Sequence, residues 1–316
     1  MTKTIRTEVV VLGAGPGGYT AAFRAADLGL KTLLIEKNSS LGGVCLNTGC
    51  IPSKALLHVS KVMSEINELK EHHVDLGAGI PNLISVRQWV ESIIDKLTFG
   101  LKNMAKKRRI EIIYGYGKFT SSNEIEVNND GGITIIKFNS AIIATGSHAS
   151  KLPLLPDDPR IMNSTDALLL KNIPKRMLVI GGGIIGLEMA TIYASLGCKI
   201  TIVEIMESLI PECDKDIIRP LVRRIKKKYE NIYLKTKVIS VIPKENKIKV
   251  ILEGKNVPEN DQFDAILVAI GRTPNGNKVD VGKAGIQVDK NGFIATNNQQ
   301  QTNIPNIYAI GDVTHL

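Results

Sequence analysis

Two stretches of this chain repeat each other, and that duplication constrains the fold more than any other feature. The first stretch is a strand-like run, Val9 to Leu12, followed by Gly13-Ala14-Gly15-Pro16-Gly17-Gly18 and an Ala-rich helical segment. It returns as a second strand, Lys31 to Ile35, that closes on Glu36. The second stretch runs Met177 to Ile180, then Gly181-Gly182-Gly183-Ile184-Ile185-Gly186, then a helix through Ala194. It returns as Lys199 to Val203 and closes on Glu204. Gly13 pairs with Gly181, Gly18 with Gly186 and Glu36 with Glu204, each pair separated by 168 positions (181 − 13).

A lone GxGxxG is a weak signal. Here each copy follows a strand, opens a helix and leads to an acid at the end of the next strand, which is the full context of a dinucleotide-binding turn. The first glycine (Gly13, Gly181) permits the tight turn, and the second (Gly15, Gly183) lets the backbone approach a pyrophosphate. The third (Gly18, Gly186) lets helix and strand pack closely. The helix N-terminus offers free N–H groups and partial positive charge to the phosphates. Glu36 and Glu204 are placed to hydrogen-bond a ribose diol. Gly-rich turns without a ligand are the alternative, and two acids in register argue against it. The pattern predicts an α/β chain with two Rossmann-like dinucleotide-binding domains. A carboxylate at 204 repels a 2′-phosphate and no Arg immediately follows it, so the second site is expected to prefer NAD over NADP.

The remaining segments fit around these units. Residues 52–72 and 85–108 read as helices, the second carrying the single tryptophan, Trp89. Ile110 to Lys118, Glu124 to Val127, Ile133 to Phe138 and Ala141 to Ala144 read as strands. Ala265 to Ile270 runs into Gly271-Arg272-Thr273-Pro274, a junction matching that of Ala144 with Thr145-Gly146. The Pro-containing segments 151–159 and 272–277 are expected to cross between domains.

A chain of 316 residues can build two domains with a sizeable core. Aromatic residues are only 4% of it, so that core must rest on Ile, Leu, Val and Ala. No apolar run approaches the roughly 18 residues of a membrane helix. The strand-like run at Glu8 leaves no room after Met1 for a signal or transit segment, so the expectation is cytoplasmic, with no membrane partner. The formal charge is +9, with basic clusters at Lys106-Lys107-Arg108-Arg109, Arg223-Arg224 and Lys226-Lys227-Lys228. Neither region interleaves aromatics, so they read as solvated helix faces and not as a nucleic-acid surface.

The four cysteines are Cys45, Cys50, Cys198 and Cys213, too few for a disulfide-stapled scaffold. Cys45 and Cys50 lie within Gly42-Gly43-Val44-Cys45-Leu46-Asn47-Thr48-Gly49-Cys50-Ile51-Pro52-Ser53-Lys54. On a straight helix they would stand about 7.5 Å apart along the axis, whereas a disulfide wants Cα atoms roughly 5.5–6 Å apart. A bridge would therefore require broken helix geometry at a loop-to-helix start, where Gly42, Gly43 and Gly49 give freedom and Pro52 suits a first turn. Such a helix start also favours thiolate, and Lys54 adds nearby positive charge. Zinc usually takes ligand pairs two to four residues apart plus a second pair, and no such second pair exists; His72 and His73 are adjacent. No metal is expected. Two structural thiols are the remaining alternative. Cys198 and Cys213 read as ordinary thiols.

A dinucleotide site, a CxxxxC pair just after it and a second dinucleotide site together resemble the pyridine nucleotide–disulfide oxidoreductases over the whole chain. Within that family, GGVCLNTGCIPSKALL, GGGIIGLEMA and AIGRTPN are most similar to the dihydrolipoamide dehydrogenases. Glutathione reductases carry basic residues where this chain has Glu204. Mercuric reductases are closer in the cysteine motif but carry a metal-binding extension.

The resemblance implies a nucleotide domain for NAD, residues 148–272, inserted into one for FAD, residues 1–147 and 273–316, the last part incomplete. FAD would use Gly13, Gly15, Gly18, Glu36, Gly117 and Asp312, with Lys54 near the isoalloxazine and Glu188 as its ion-pair partner. NAD would use Gly181, Gly183, Gly186, Glu188, Glu204, Val238 and Gly271. Cys45 and Cys50 would form the redox disulfide, Cys45 attacked by a dihydrolipoyl thiolate and Cys50 beside the flavin. The implied partners are lipoyl domains of 2-oxo acid dehydrogenase complexes, and the implied parent is a homodimer. Members of the family run on through a dimerisation domain with a His-Glu dyad, and His315 is too close to Asp312 to be that histidine. The implication is a C-terminally truncated chain without that domain, weak by itself in dithiol turnover. Another flavin-dependent disulfide reductase, or a non-catalytic FAD- and NAD-binding fragment, are the alternatives.

Overall fold

The computed structural model of the chain describes residues 3–74, 76–77, 79, 81–129, 131–255 and 257–315. They fall into two compact units. One comprises 1–50, 93–148 and 272–316, the other 51–92 and 149–271.

In the first unit the strands order as Glu111–Tyr114, Thr32–Glu36, Lys3–Leu12, Gly132–Ile143 and Ile307–Ala309, all parallel. The strands Tyr116–Ser121 and Glu124–Asn129 continue the sheet as an antiparallel meander on the N-terminal half of Gly132–Ile143. That strand was expected as two, 133–138 and 141–144, because the polar pair Asn139-Ser140 interrupts the apolar run. It is instead continuous. Its backbone is paired along nearly its full length with Lys3–Leu12, from Lys3 opposite Thr134 to Leu12 opposite Ile143. A ladder that skips only the Glu8/Asn139 position outweighs two residues of weak strand propensity. One face of the sheet carries Val9, Val11 and Leu34 against Ala22, Phe23 and Ala25 of the helix Pro16–Asp27. The other carries Val10, Leu12, Ile35, Ile143 and Ile136 against Val279, Val281, Ile294 and Val313. Burying each large side chain contributes about 1.5–3 kcal/mol, so the segment after 272 is an integral half of this core.

In the second unit the parallel order is Asn231–Tyr233, Lys199–Val203, Arg176–Ile180, Ala265–Val268 and Ile161–Asn163. An antiparallel sheet, Lys237–Pro243 with Ile248–Glu253 and Asn260–Phe263, closes its core. The helix Ile184–Ser195 buries Leu187, Met189, Ala190, Ile192 and Tyr193. The Tyr193 hydroxyl donates to the Ala167 carbonyl at 2.8 Å, so its polar end is satisfied inside. The helices Cys50–Glu71 and Leu83–Lys107 lie close to their expected spans. No helix among the described residues is long and apolar enough to cross a membrane.

Candidate functional site

Each unit presents the same Gly-rich turn, built with the same division of labour. Gly13 and Gly181 have φ of +103° and +107°, the left-handed region open to glycine. A Cβ on them would lie 2.4 Å from the Ala144 carbonyl oxygen and 2.3 Å from that of Ala269. Gly18 and Gly186 are tighter still, since a Cβ there would come within 1.7 Å of Gly13 O and 2.2 Å of Gly181 O. These four glycines let the turn close on itself. Gly15 and Gly183 differ. A Cβ on Gly15 would meet nothing nearer than 3.9 Å, and one on Gly183 nothing within 4 Å. Open space beside the middle glycine, at a helix N-terminus, is a cradle that fits a pyrophosphate.

The two acids have a second task that their position in sequence does not disclose. Glu36 is 4% exposed, and its Oε2 accepts from the Ala14 amide at 2.9 Å while Oε1 accepts from the Asn38 amide at 2.9 Å. Glu204 is 8% exposed, with Oε2 accepting from Gly182 at 2.6 Å and Oε1 from Met206 at 2.8 Å. Each carboxylate thus ties its strand end to the turn that precedes it, oxygen for oxygen the same in both copies. Replacing Glu204 with alanine is expected to relax the NAD:NADP ratio and also to destabilise the unit. The buried Gly182 amide would lose its acceptor at about 1–3 kcal/mol, and the Met206 amide, at an exposed residue, at less. Chemical denaturation alongside the kcat/KM ratio for the two nucleotides checks both. Unchanged selectivity would remove the acid from the ribose site.

The cysteine segment is mounted on the first turn. Gly42 donates its amide to Ala14 O at 2.8 Å. Gly43, at φ +60°, packs so closely that a Cβ would fall 2.5 Å from Gly15 Cα. The helix Gly43–Thr48 carries Cys45, and Cys50 opens the helix Cys50–Glu71. The break between them is Gly49, where a Cβ would meet Val44 O at 2.8 Å and Cys45 Cα at 3.3 Å. Cys45 therefore lies on a short helix and not in a loop, and the expected break in helix geometry falls at Gly49. Asn47 steadies the approach, its Nδ2 donating to Leu41 O at 3.0 Å and Gly43 O at 2.9 Å. Cys45 is half-buried and Cys50 exposed.

The other named residues are distributed as follows. Lys54 Nζ lies 2.7 Å from Glu188 Oε1, both in the second unit. Gly117 is buried in the first unit, where a Cβ would fall 2.7 Å from Leu12 Cδ1, so its smallness serves packing as well as any ligand. Asp312 sits in the turn Gly311–Val313 with its side chain exposed, and Oδ2 accepts from the Ser147 hydroxyl at 2.6 Å. Val238 turns its side chain into the core, leaving only its backbone for a ligand. Gly271, at φ +130°, faces open space. Cys213 is exposed; Cys198 is buried, and burial together with the nearby Asp264 and Glu230 pushes its thiol up to about 12, a protonated and unreactive state. No group of His, Cys, Asp and Glu among the described residues could hold a metal ion.

Residues 7–316 match the model of the pyridine nucleotide-disulphide oxidoreductase family. Among curated proteins the chain is 54% identical to dihydrolipoyl dehydrogenase of Vibrio cholerae over 99% of its own length and 66% of the relative's. It is 50% identical to that of Haemophilus influenzae with the same coverage. The chain thus spans about 66% of the length of these relatives. Among solved structures, the HOCl-induced flavoprotein disulfide reductase RclA of Escherichia coli aligns in its Cu(II) complex with a TM-score of 0.86. The identity is 27%, over 98% of this chain and 66% of that one.

Proposed function

Because the chain belongs to the pyridine nucleotide-disulphide oxidoreductase family, we propose that it carries the electron path of a dihydrolipoyl dehydrogenase, from a dithiol through Cys45 and Cys50 and FAD to NAD. The observation that supports this most is the packing of Gly43 on Gly15, which mounts the cysteine pair directly on one nucleotide cradle.

In the oxidised pair, one substrate thiolate attacks Cys45 Sγ. The Cys45–Cys50 bond breaks and Cys50 leaves as thiolate. The second substrate thiolate then attacks the substrate sulfur of the mixed disulfide and expels Cys45. The dithiol becomes a disulfide, the protein pair holds two electrons, and two protons go to a base. FAD, when bound, supplies the acceptor for those electrons and a hydride donor for NAD. Gly13, Gly15, Gly18, Glu36, Gly117 and Asp312 would hold it. Gly181, Gly183, Gly186, Glu204, Val238 and Gly271 would hold NAD. The Lys54–Glu188 pair would bring a held positive charge toward the isoalloxazine. The order of the two sulfurs rests on the motif, since exposure in the chain alone ranks Cys50 as the more open.

The substrate class we propose is protein-bound dihydrolipoamide of a 2-oxo acid dehydrogenase complex. The complete protein would work as a homodimer in the cytoplasm. The test is an assay of the complete, FAD-replete protein for dihydrolipoamide-dependent NADH formation. Turnover with NAD well above that with NADP is the expected result. Absence of NADH formation, or reduction of glutathione disulfide or mercuric ion in its place, would overturn the reading.

A further inference from the structure

We propose that Arg272 is a positioning residue for flavin binding, acting through Ser147 to orient the carboxylate of Asp312. The inference rests on the reading of Asp312 as a flavin ligand and deepens it.

Arg272 Nε donates to Ser147 Oγ at 2.7 Å, and its Nη2 donates to the Ser147 carbonyl at 2.8 Å. Ser147 Oγ in turn donates to Asp312 Oδ2 at 2.6 Å. The serine is 6% exposed. A hydroxyl has one proton. With the guanidinium N–H filling an acceptor site on the oxygen, that proton is directed to Asp312, and the rotor has one useful setting. Engaging Oδ2 fixes the plane of an otherwise exposed carboxylate and leaves its second oxygen to a ligand. The charge also matters. Asp312 would sit near the ribityl and phosphate region of FAD, where a carboxylate repels the phosphates. Arg272 Nε, 3.8 Å from Asp312 Oδ2, offsets that repulsion.

A purely structural role for Arg272 is redundant, because Asn275 already holds the same segment. Its amide donates to Gly146 O at 2.9 Å, its Nδ2 donates to Thr145 O at 2.8 Å, and its Oδ1 lies 2.8 Å from His148 Nδ1. What Arg272 adds is Ser147 and, through it, Asp312.

The experiment is titration of FAD into the FAD-stripped complete protein, with thermal stability of each apoprotein measured alongside. Arg272→Met is expected to weaken FAD binding roughly tenfold to a hundredfold, the size of a lost charged hydrogen bond, with apoprotein stability unchanged. Arg272→Lys restores part of the loss, keeping the charge without the two-point grip, and Ser147→Ala reproduces part of it. In an Asp312→Ala background, which removes the acceptor of the Ser147 hydroxyl, Arg272→Met adds no more than about twofold, since its route to the flavin is already cut. Unchanged FAD affinity in Arg272→Met, or losses that multiply in the double variant, would overturn the proposal. Unchanged affinity in Asp312→Ala alone would instead remove Asp312 from the flavin site, which separates failure of the underlying reading from failure of the inference.

Discussion

Replacing Cys50 with serine in the complete protein is expected to cut dihydrolipoamide-dependent NAD reduction by about a thousandfold or more, the scale seen when a group that forms a covalent intermediate is removed. Serine preserves the size and the helix start but cannot form or accept a disulfide. The same loss is expected for Cys45→Ser, and a second readout distinguishes the two. If Cys50 is the flavin-side thiol, the long-wavelength absorbance of the two-electron-reduced holoprotein disappears in Cys50→Ser and persists in Cys45→Ser. The reverse pattern would exchange the roles of the two sulfurs. Turnover that survives both substitutions would remove the pair from the electron path altogether. Cys198 sets the internal control: buried and protonated, it should play no part, and Cys198→Ala should leave turnover intact.

The second large effect separates two glycines three residues apart. Gly186→Ala places a methyl 2.2 Å from the Gly181 carbonyl oxygen, a backbone atom that cannot swing aside as a side chain can. The turn must open, at about 1–3 kcal/mol or more, and NAD binding should be lost with it. Gly183→Ala meets nothing within 4 Å, at a φ of −77° that alanine adopts readily. That variant should keep its melting temperature and lose NAD affinity by at least about tenfold, because the methyl occupies the space a pyrophosphate would take. Thermal denaturation and NAD titration of both variants read the contrast. A folded Gly183→Ala protein with native NAD affinity would show that the open space is not the cradle.

The glycines and acids of the two turns were legible because their constraints are local. A turn, a strand and the next strand's end fall within a few dozen residues, so spacing carries the geometry. The break between the two cysteines was legible for the same reason. What was hidden depends on contacts that the spacing within one motif does not encode. The clasp of Gly43 on Gly15, the grip of Arg272 on Ser147 and the bond of Ser147 to Asp312 arise only when the sheet brings strand ends together. The two strand-to-Gly junctions, which looked like matched members of a repeat, are joined by hydrogen bonds from Asn275 to Thr145 and Gly146. The local task of Glu36 and Glu204 was hidden because the amides of Ala14, Asn38, Gly182 and Met206 come within reach of the carboxylates only once strand end and turn are folded together. The grouping of residues 51–92 with 149–271 also has no signal in periodicity, since an amphipathic helix does not name the surface it covers.

The strand Gly132–Ile143 has a consequence for the order in which the protein can form as it leaves the ribosome. Its N-terminal half finds a neighbour at once in Glu124–Asn129, and its full length pairs with Lys3–Leu12. The outer edge of Ala141 to Ile143, however, waits for Ile307–Ala309. Residues 149–271 of the second unit are synthesised in that interval and 51–92 precede it, so that unit can fold while the first still has a bare, apolar strand edge. Such an edge is a template for unwanted pairing between nascent chains. The late-arriving strand is therefore a safeguard as much as a support. By covering that edge it brings Asp312 into place, so the first unit gains protection from aggregation and its candidate flavin ligand in the same step.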